Sequence, residues 1–382
     1  KIYRTTVLVD LNETYEFAHM TSFTMNSHNL TTLDTFDTEF SADSVEWCPI
    51  EPFTDIFVCG TYQLSNDEVA GETKDAKSTK RLGQIYLFRL NDVGKLNLLQ
   101  RLDVPAVLDM KWMHVKLYNK IVLGVVNSSG FIQTYELMVE NDISLTLLTE
   151  KNINNADSDV LALSLDWSSG KCNDTQQEVE IAVSDSKGSI STFKFQGENL
   201  EEKHTWNAHG YEAWIVAFDY WNTNVLYSGG DDCKLQWFDL RTGTQPAGMN
   251  RIHGAGVTSL HSNSAQEFQL VSGSYDEILR LWDVRKMRNP VSEVNLDGGI
   301  WRLKWEPKNH KYLIAACMYG GFKIVNCNDD GTLNIVGQYM EHQSISYGCD
   351  WSLLTVGTEV LIGTCSFYDH TLKLAIIDFN KR

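Results

Sequence analysis

A short apolar run ending in a charged residue and then an aromatic one recurs along this chain. The copies are Glu46-Trp47, Lys111-Trp112, Asp166-Trp167, Asp219-Tyr220, Lys304-Trp305 and Asp350-Trp351, with a weaker one at His261-Ser262. Short apolar runs bounded by turn residues predict buried strands. In chain order the copies stand 65, 55, 53, 42, 43 and 46 residues apart. The later spacings match the roughly 40 to 45 residues of a four-stranded blade, and the earlier ones leave room for insertions. Seven copies predict seven blades.

A second pattern keeps the same register. Ser228-Gly229-Gly230-Asp231-Asp232 and Ser272-Gly273-Ser274-Tyr275-Asp276 each lead into an alternating strand that ends in Asp, in the fifth blade as Trp282-Asp283. His209 precedes Asp239 by 30 residues and His253 precedes Asp283 by 30, the His-to-WD interval of a known repeat. The fold expected is all-β, a seven-bladed WD-repeat β-propeller. Blade seven has strands near 345 to 351, 359 to 366 and 371 to 379, with no room for a fourth. Residues 31 to 40 are therefore expected to donate its closing strand, because an open ring would leave an unpaired sheet edge. On this reading residues 31 to 382 form one propeller and residues 1 to 30 an appendage. The polar stretch Asn66 to Lys80 is expected to be a mobile loop between the second and third strands of blade one.

Composition narrows the function. With 43% hydrophobic and 11% aromatic residues and six prolines, the chain is expected to fold without a long disordered tail. A net charge of -18 argues against a surface that tracks nucleic-acid phosphates and favours neutral or basic partners, although acidity also serves simply to keep a large protein in solution. The eight cysteines show no zinc-ligand spacing and read as reduced core thiols. The opening KIYRTTVLVDLN lacks the apolar stretch of a secretory signal, and no run reaches membrane-spanning length. A cytoplasmic monomer is expected, lacking a few residues before Lys1, with no metal and no cofactor.

Several polar residues have a ready structural use. In a WD blade a His, a Ser or Thr, a turn Asp and a strand Trp form a buried hydrogen-bonded set. His253, Ser272, Asp276 and Trp282 fill all four positions in blade five. His209, Ser228 and Asp232 fill three in blade four, where Phe238 replaces the Trp. A structural role is the preferred reading for all seven. In blade seven Cys365 is read into the Ser position and Ala375 into the Trp position, which leaves His342, Asp369 and His370 without their usual partners.

Those histidines border one face, here called upper, where the inner strands begin. Asp109, Trp214, Trp301 and Arg302 are expected near the mouth of the axial channel on that face. For Arg302, a buried ion pair with Asp109 and a role in binding stand side by side. For Trp214 and Trp301, core packing is the commoner role. No nucleophile elbow, P-loop, dinucleotide-binding unit or metalloprotease motif is present. Were hydrolysis to occur on this face, His370 would be the general base, oriented by Asp369, with Ser366, Tyr368 or a water as nucleophile.

Nine segments together resemble the eukaryotic WD-repeat family of diphthamide biosynthesis known as diphthine methyltransferases, or diphthine methylesterases. They are ADSVEWCP (42 to 49), CGTYQL (59 to 64), LALSLDWSSGK (161 to 171), EAWIVAFDYW (212 to 221), YSGGDDC (227 to 233), GSYDE (273 to 277), GGIWRLKW (298 to 305), AACM (315 to 318) and CSFYDH (365 to 370). ADSVEWCP, GGIWRLKW and CSFYDH are the most specific. The resemblance implies hydrolysis of the methyl ester of methylated diphthine, a modified histidine of translation elongation factor 2, giving methanol and diphthine before amidation to diphthamide. The trimethylammonium group of that substrate suits aromatic faces such as Trp214, Trp301 and Tyr368 beside acids, and Arg302 or backbone amides could hold the oxyanion. The other reading is a noncatalytic scaffold or adaptor, the commoner use of such propellers.

Overall fold

In the computed structural model, which describes residues 30–65, 80–91, 94–140, 142–153, 160–170, 178–356 and 359–379, the strands form seven four-stranded antiparallel sheets. The fold is the predicted seven-bladed propeller. The inner strands of blades one to seven are Ser41–Trp47, Val107–Trp112, Ala162–Trp167, Ile215–Phe218, Val257–Ser262, Arg302–Trp305 and Ser346–Val356. Each recurring pair falls at the end of one of these, just beyond it in blade four, or within it in blade seven. Leu30–Asp37 pairs antiparallel with Thr371–Asp378 and completes blade seven. Thr38 N then donates to the carbonyl of His370 at 2.8 Å, fastening the turn into blade one. Residues 1 to 29 and 66 to 79, where the appendage and the mobile loop were expected, lie outside the described residues.

Position within a blade dictates the apolar pattern. Every residue of Ser41–Trp47 is buried, because an inner strand is covered on both faces by neighbouring blades. The outer strand Leu96–Pro105 mixes exposed and half-buried positions. The core is a set of apolar layers between blades. In the layer that closes the ring, Phe57, Tyr86 and Phe88 of blade one meet Leu361, Leu372 and Leu374 of blade seven. Close blade spacing also explains the glycine after each signature serine. A Cβ on Gly229 would lie 2.5 Å from the Cγ1 of Val257, and one on Gly273 would lie 2.4 Å from the Cγ2 of Ile300.

The structural sets form, with corrections. In blade four His209 bonds through Nε2 to the Ser228 Oγ and through Nδ1 to the Asp232 carboxylate, both at 2.8 Å. In blade five His253 Nε2 meets the Ser272 Oγ at 2.9 Å, and that oxygen also accepts the Trp282 indole N–H at 2.8 Å. Asp276 does not complete the set by bonding to His253. It accepts the backbone N–H of Gly254 at 2.8 Å and pairs with Arg280 at 2.8 Å, and His253 Nδ1 has no partner among the described residues. An arginine four residues along draws the carboxylate away, because a charge-assisted bond outcompetes one to a neutral ring.

In blade seven Thr364, not Cys365, occupies the Ser position. His342 Nε2 meets the Thr364 Oγ1 at 2.9 Å. Thr364 stands two residues beyond Ile362, which pairs with Ala375. Ser272 likewise stands two beyond Leu270, which pairs with Trp282. The turn of blade seven carries one extra residue, so counting back four from Asp369 stops one position short, at Cys365.

Candidate active site on the propeller axis

An inner strand keeps one edge toward the channel, and backbone groups on it need partners. The recurring pairs supply many of them. Asp166 Oδ2 accepts the Phe218 N–H of the next blade at 2.8 Å, His261 Nδ1 accepts that of Trp305 at 3.0 Å, and Asp350 Oδ2 accepts that of Trp47 at 2.8 Å across the closing joint. The indoles reach back to the preceding blade. Trp112 donates to the Glu46 carbonyl, Trp167 to that of Lys111, Trp305 to that of His261 and Trp351 to that of Lys304, at 2.8 to 3.2 Å.

The two lysine pairs depart from this arrangement. A lysine ammonium cannot accept an N–H, so Lys111 and Lys304 sit at acceptor positions they cannot fill. Lys111 Nζ instead bonds to Asp109 Oδ2 at 2.7 Å and to the Leu165 carbonyl at 2.6 Å. Lys304 Nζ reaches from blade six to Glu46 Oε1 of blade one at 2.5 Å. These departures were visible in the sequence, where the pairs served only as repeat markers.

Around them, at the lower end of the channel where the inner strands finish, lies a cavity of about 170 Å³. Glu46, Lys304, His114, His261 and Tyr220 line it together with the Trp47, Trp112, Trp305 and Trp351 rings. Burial pushes the Glu46 carboxyl up to about 7 against the pull of Lys304. Burial holds His114 down at about 4 and His261 well below its ordinary value, so both rings are neutral near pH 7. Because His261 Nδ1 accepts the Trp305 N–H, its proton resides on Nε2. Tyr220 stands between the two imidazoles, with ring centroids 5.6 Å from His114 and 6.0 Å from His261. Its hydroxyl lies 3.4 Å from Asp166, whose carboxyl burial lifts to about 6.

The upper mouth gathers the predicted aromatic residues. Trp214 and Trp301 lie edge to face at 5.7 Å, and Trp301 stacks obliquely on Tyr347 at 4.6 Å. Phe367 joins Tyr347 to Tyr368, which is 58% exposed. Trp214 donates its indole N–H to Asp231 at 3.1 Å. Arg302 does pair with Asp109, at 3.0 Å, and both are buried. Asp109 also accepts from Lys111, the Ser164 hydroxyl and the Leu165 N–H. Burial works to raise its pKa, but Arg302 and Lys111 hold it at about 2.

The predicted hydrolytic residues are arranged differently from expectation. Asp369 does not orient His370. Its Oδ1 accepts the Ser366 hydroxyl and its Oδ2 the Gln343 N–H at 3.0 Å. Ser366 is fully buried, and its oxygen meets His342 Nδ1 at 2.5 Å. Burial drives His342 down to about 3. The run Asp369–Ser366–His342–Thr364 is thus the tetrad of blade seven with Ser366 inserted between His and Asp. The His370 ring makes no hydrogen bond among the described residues, while its backbone carbonyl receives Thr38.

A model of the WD domain, G-beta repeat, matches residues 248–283. A mouse protein named diphthine methyltransferase is 41% identical over 335 residues, covering 85% of this chain and 70% of its own. The human protein of that name is 39% identical, covering 84% and 75%. A Dictyostelium discoideum protein named as its homolog is 36% identical, covering 88% and 97%. Among solved structures, a chain of a mitotic checkpoint complex superposes with a TM-score of 0.65 over 96% of this chain and 98% of its own. At 18% identity that likeness carries the fold alone.

Proposed function

Because the chain belongs to the diphthine methyltransferase family, we propose that it is a methylesterase acting on methylated diphthine of translation elongation factor 2, releasing methanol and leaving diphthine. Family membership over most of the chain is the observation that carries this reading. The geometry supports it in two ways. Indole and phenol rings beside carboxylates suit a trimethylammonium group, and such rings line the channel at both ends. Ester cleavage needs a base, a water and donors for the oxyanion, and the axial cavity offers groups for each role. The free cysteines among the described residues suit the reducing cytoplasm, where the elongation factor works.

The test is mass spectrometry of elongation factor 2 bearing methylated diphthine after incubation with catalytic amounts of purified protein. Loss of one methylene unit, about 14 Da, together with methanol in the supernatant, is the expected result. A second reading, a noncatalytic adaptor, draws on the exposed Tyr211, Tyr319 and Tyr368 of the upper face, the kind of aromatic surface that docks proteins. It predicts stable binding of the factor by a folded preparation with the ester left intact.

A further inference from the structure

The upper face was expected to hold the chemistry, yet its Ser366, His342 and Asp369 are engaged with one another in a partly buried tetrad. At the other end of the channel, ionisable groups meet an open volume. Glu46 lies against one ammonium group, and His261 faces the cavity with an Nε2–H that has no partner among the described residues. The backbone of Trp305 fixes that tautomer, so the donor is oriented before any substrate arrives. His114 lies on the far side of Tyr220. Its ring Nδ1 lies 3.4 Å from Ser169, whose hydroxyl already accepts the His114 backbone N–H and is free to donate to the ring. That arrangement leaves His114 Nε2 as a second donor.

We propose that this lower cavity is the hydrolytic centre, with Glu46 as general base and the Nε2–H groups of His261 and His114 as oxyanion donors; the proposal rests on the methylesterase reading. Glu46 takes a proton from a water whose oxygen adds to the ester carbonyl. The carbonyl π pair moves onto oxygen, where the two imidazoles hold it. Collapse re-forms the C=O bond and expels the methoxy group, which takes the proton from Glu46 and leaves as methanol. The new carboxylic acid loses its proton to solvent. Lys304 keeps Glu46 ionised enough to act near neutrality, and burial keeps it basic enough to be useful. The indoles of the cavity wall receive the trimethylammonium group that sits beside the ester.

The experiment compares single-turnover and steady-state methanol release by the wild-type protein, Glu46→Gln and Glu46→Asp, with Met249→Ala on the exposed outer strand of blade four as control. Glu46→Gln is expected to lose about 100-fold or more in kcat, with elongation-factor binding and Tm near wild type, and to lose the rising limb of the pH profile near 7. Glu46→Asp keeps the charge at shorter reach and is expected to be slow but to retain that limb, which covers the case of Glu46→Gln failing to fold. Turnover by Glu46→Gln within a few-fold of wild type overturns the assignment, as does a loss that appears with His370→Ala instead. In both outcomes wild-type turnover leaves the methylesterase reading standing. An inactive wild-type preparation sinks both.

Discussion

His342 shows how much a single side chain decides. Its ring nitrogens are both engaged, by Ser366 and Thr364, and burial holds it neutral down to about pH 3. His114 and His253 stay neutral to about pH 4 for the same reason. An unfolded imidazole takes its proton near 6.5. Below that pH the unfolded chain binds more protons than the folded one, so these residues remove stability as pH falls toward 4. Glu46 acts in the opposite sense. Its folded value of about 7 lies above the unfolded one, so its contribution is present in acid and lost as pH rises through 7. Replacing His342 with Gln is expected to flatten the fall of the urea midpoint between pH 6 and 4, read against wild type. Thr364→Val leaves His342 Nε2 without its partner and is expected to cost about 1 to 3 kcal/mol. The tetrad of blade seven was half legible: His342 and Asp369 stand out by type, but the extra turn residue hid Thr364 behind Cys365.

At the scale of the strand, the recurring charged-aromatic pair is a device for an uncovered edge. In Asp166-Trp167 and Asp350-Trp351 the acid accepts an N–H from the blade ahead, and the indole donates to a carbonyl of the blade behind, so these two inner strands are tied to both neighbours by side chains. Asp350 makes this tie at the joint where the ring closes. Asp350→Ala strands the buried Trp47 N–H and is expected to cost about 1 to 3 kcal/mol. Asp350→Asn keeps an acceptor oxygen and should cost clearly less. Guanidinium titration of the two variants separates them, and equal losses would show that the charge rather than the acceptor matters. The pairs were legible as markers because they repeat locally. Their bonds were not, because each partner belongs to another blade.

At the scale of the molecule, a propeller has stability only as a closed ring, and Leu30–Asp37 is the strand that closes it. Removing the chain through Asp37 bares the edge of Thr371–Asp378 and takes away the Phe36 ring, which lies 5.4 Å from Tyr86 and 5.0 Å from Phe88, so that both of those rings lose a covering neighbour. The truncated protein is expected to melt broadly and at lower temperature than the full chain, and to associate through the bared edge. Circular dichroism melts and size-exclusion chromatography check both. A sharp monomeric transition at the full-length Tm would show that three strands suffice for blade seven.

The sequence by itself determined the blade count, the order of the inner strands and the need for a borrowed closing strand, because these follow from local alternation and from a pattern repeated about every blade. The resemblance of its motifs likewise pointed to the family. Only the tertiary structure decided which side chains meet on the axis. Glu46 and Lys304 stand 258 residues apart and touch only because closing the ring leaves just blade seven between blade six and blade one. It also decided that Asp369 turns to Ser366 rather than His370. In a strand a shift of one residue sends a side chain to the opposite face, and that shift is set by how the blades pack, which no local pattern records.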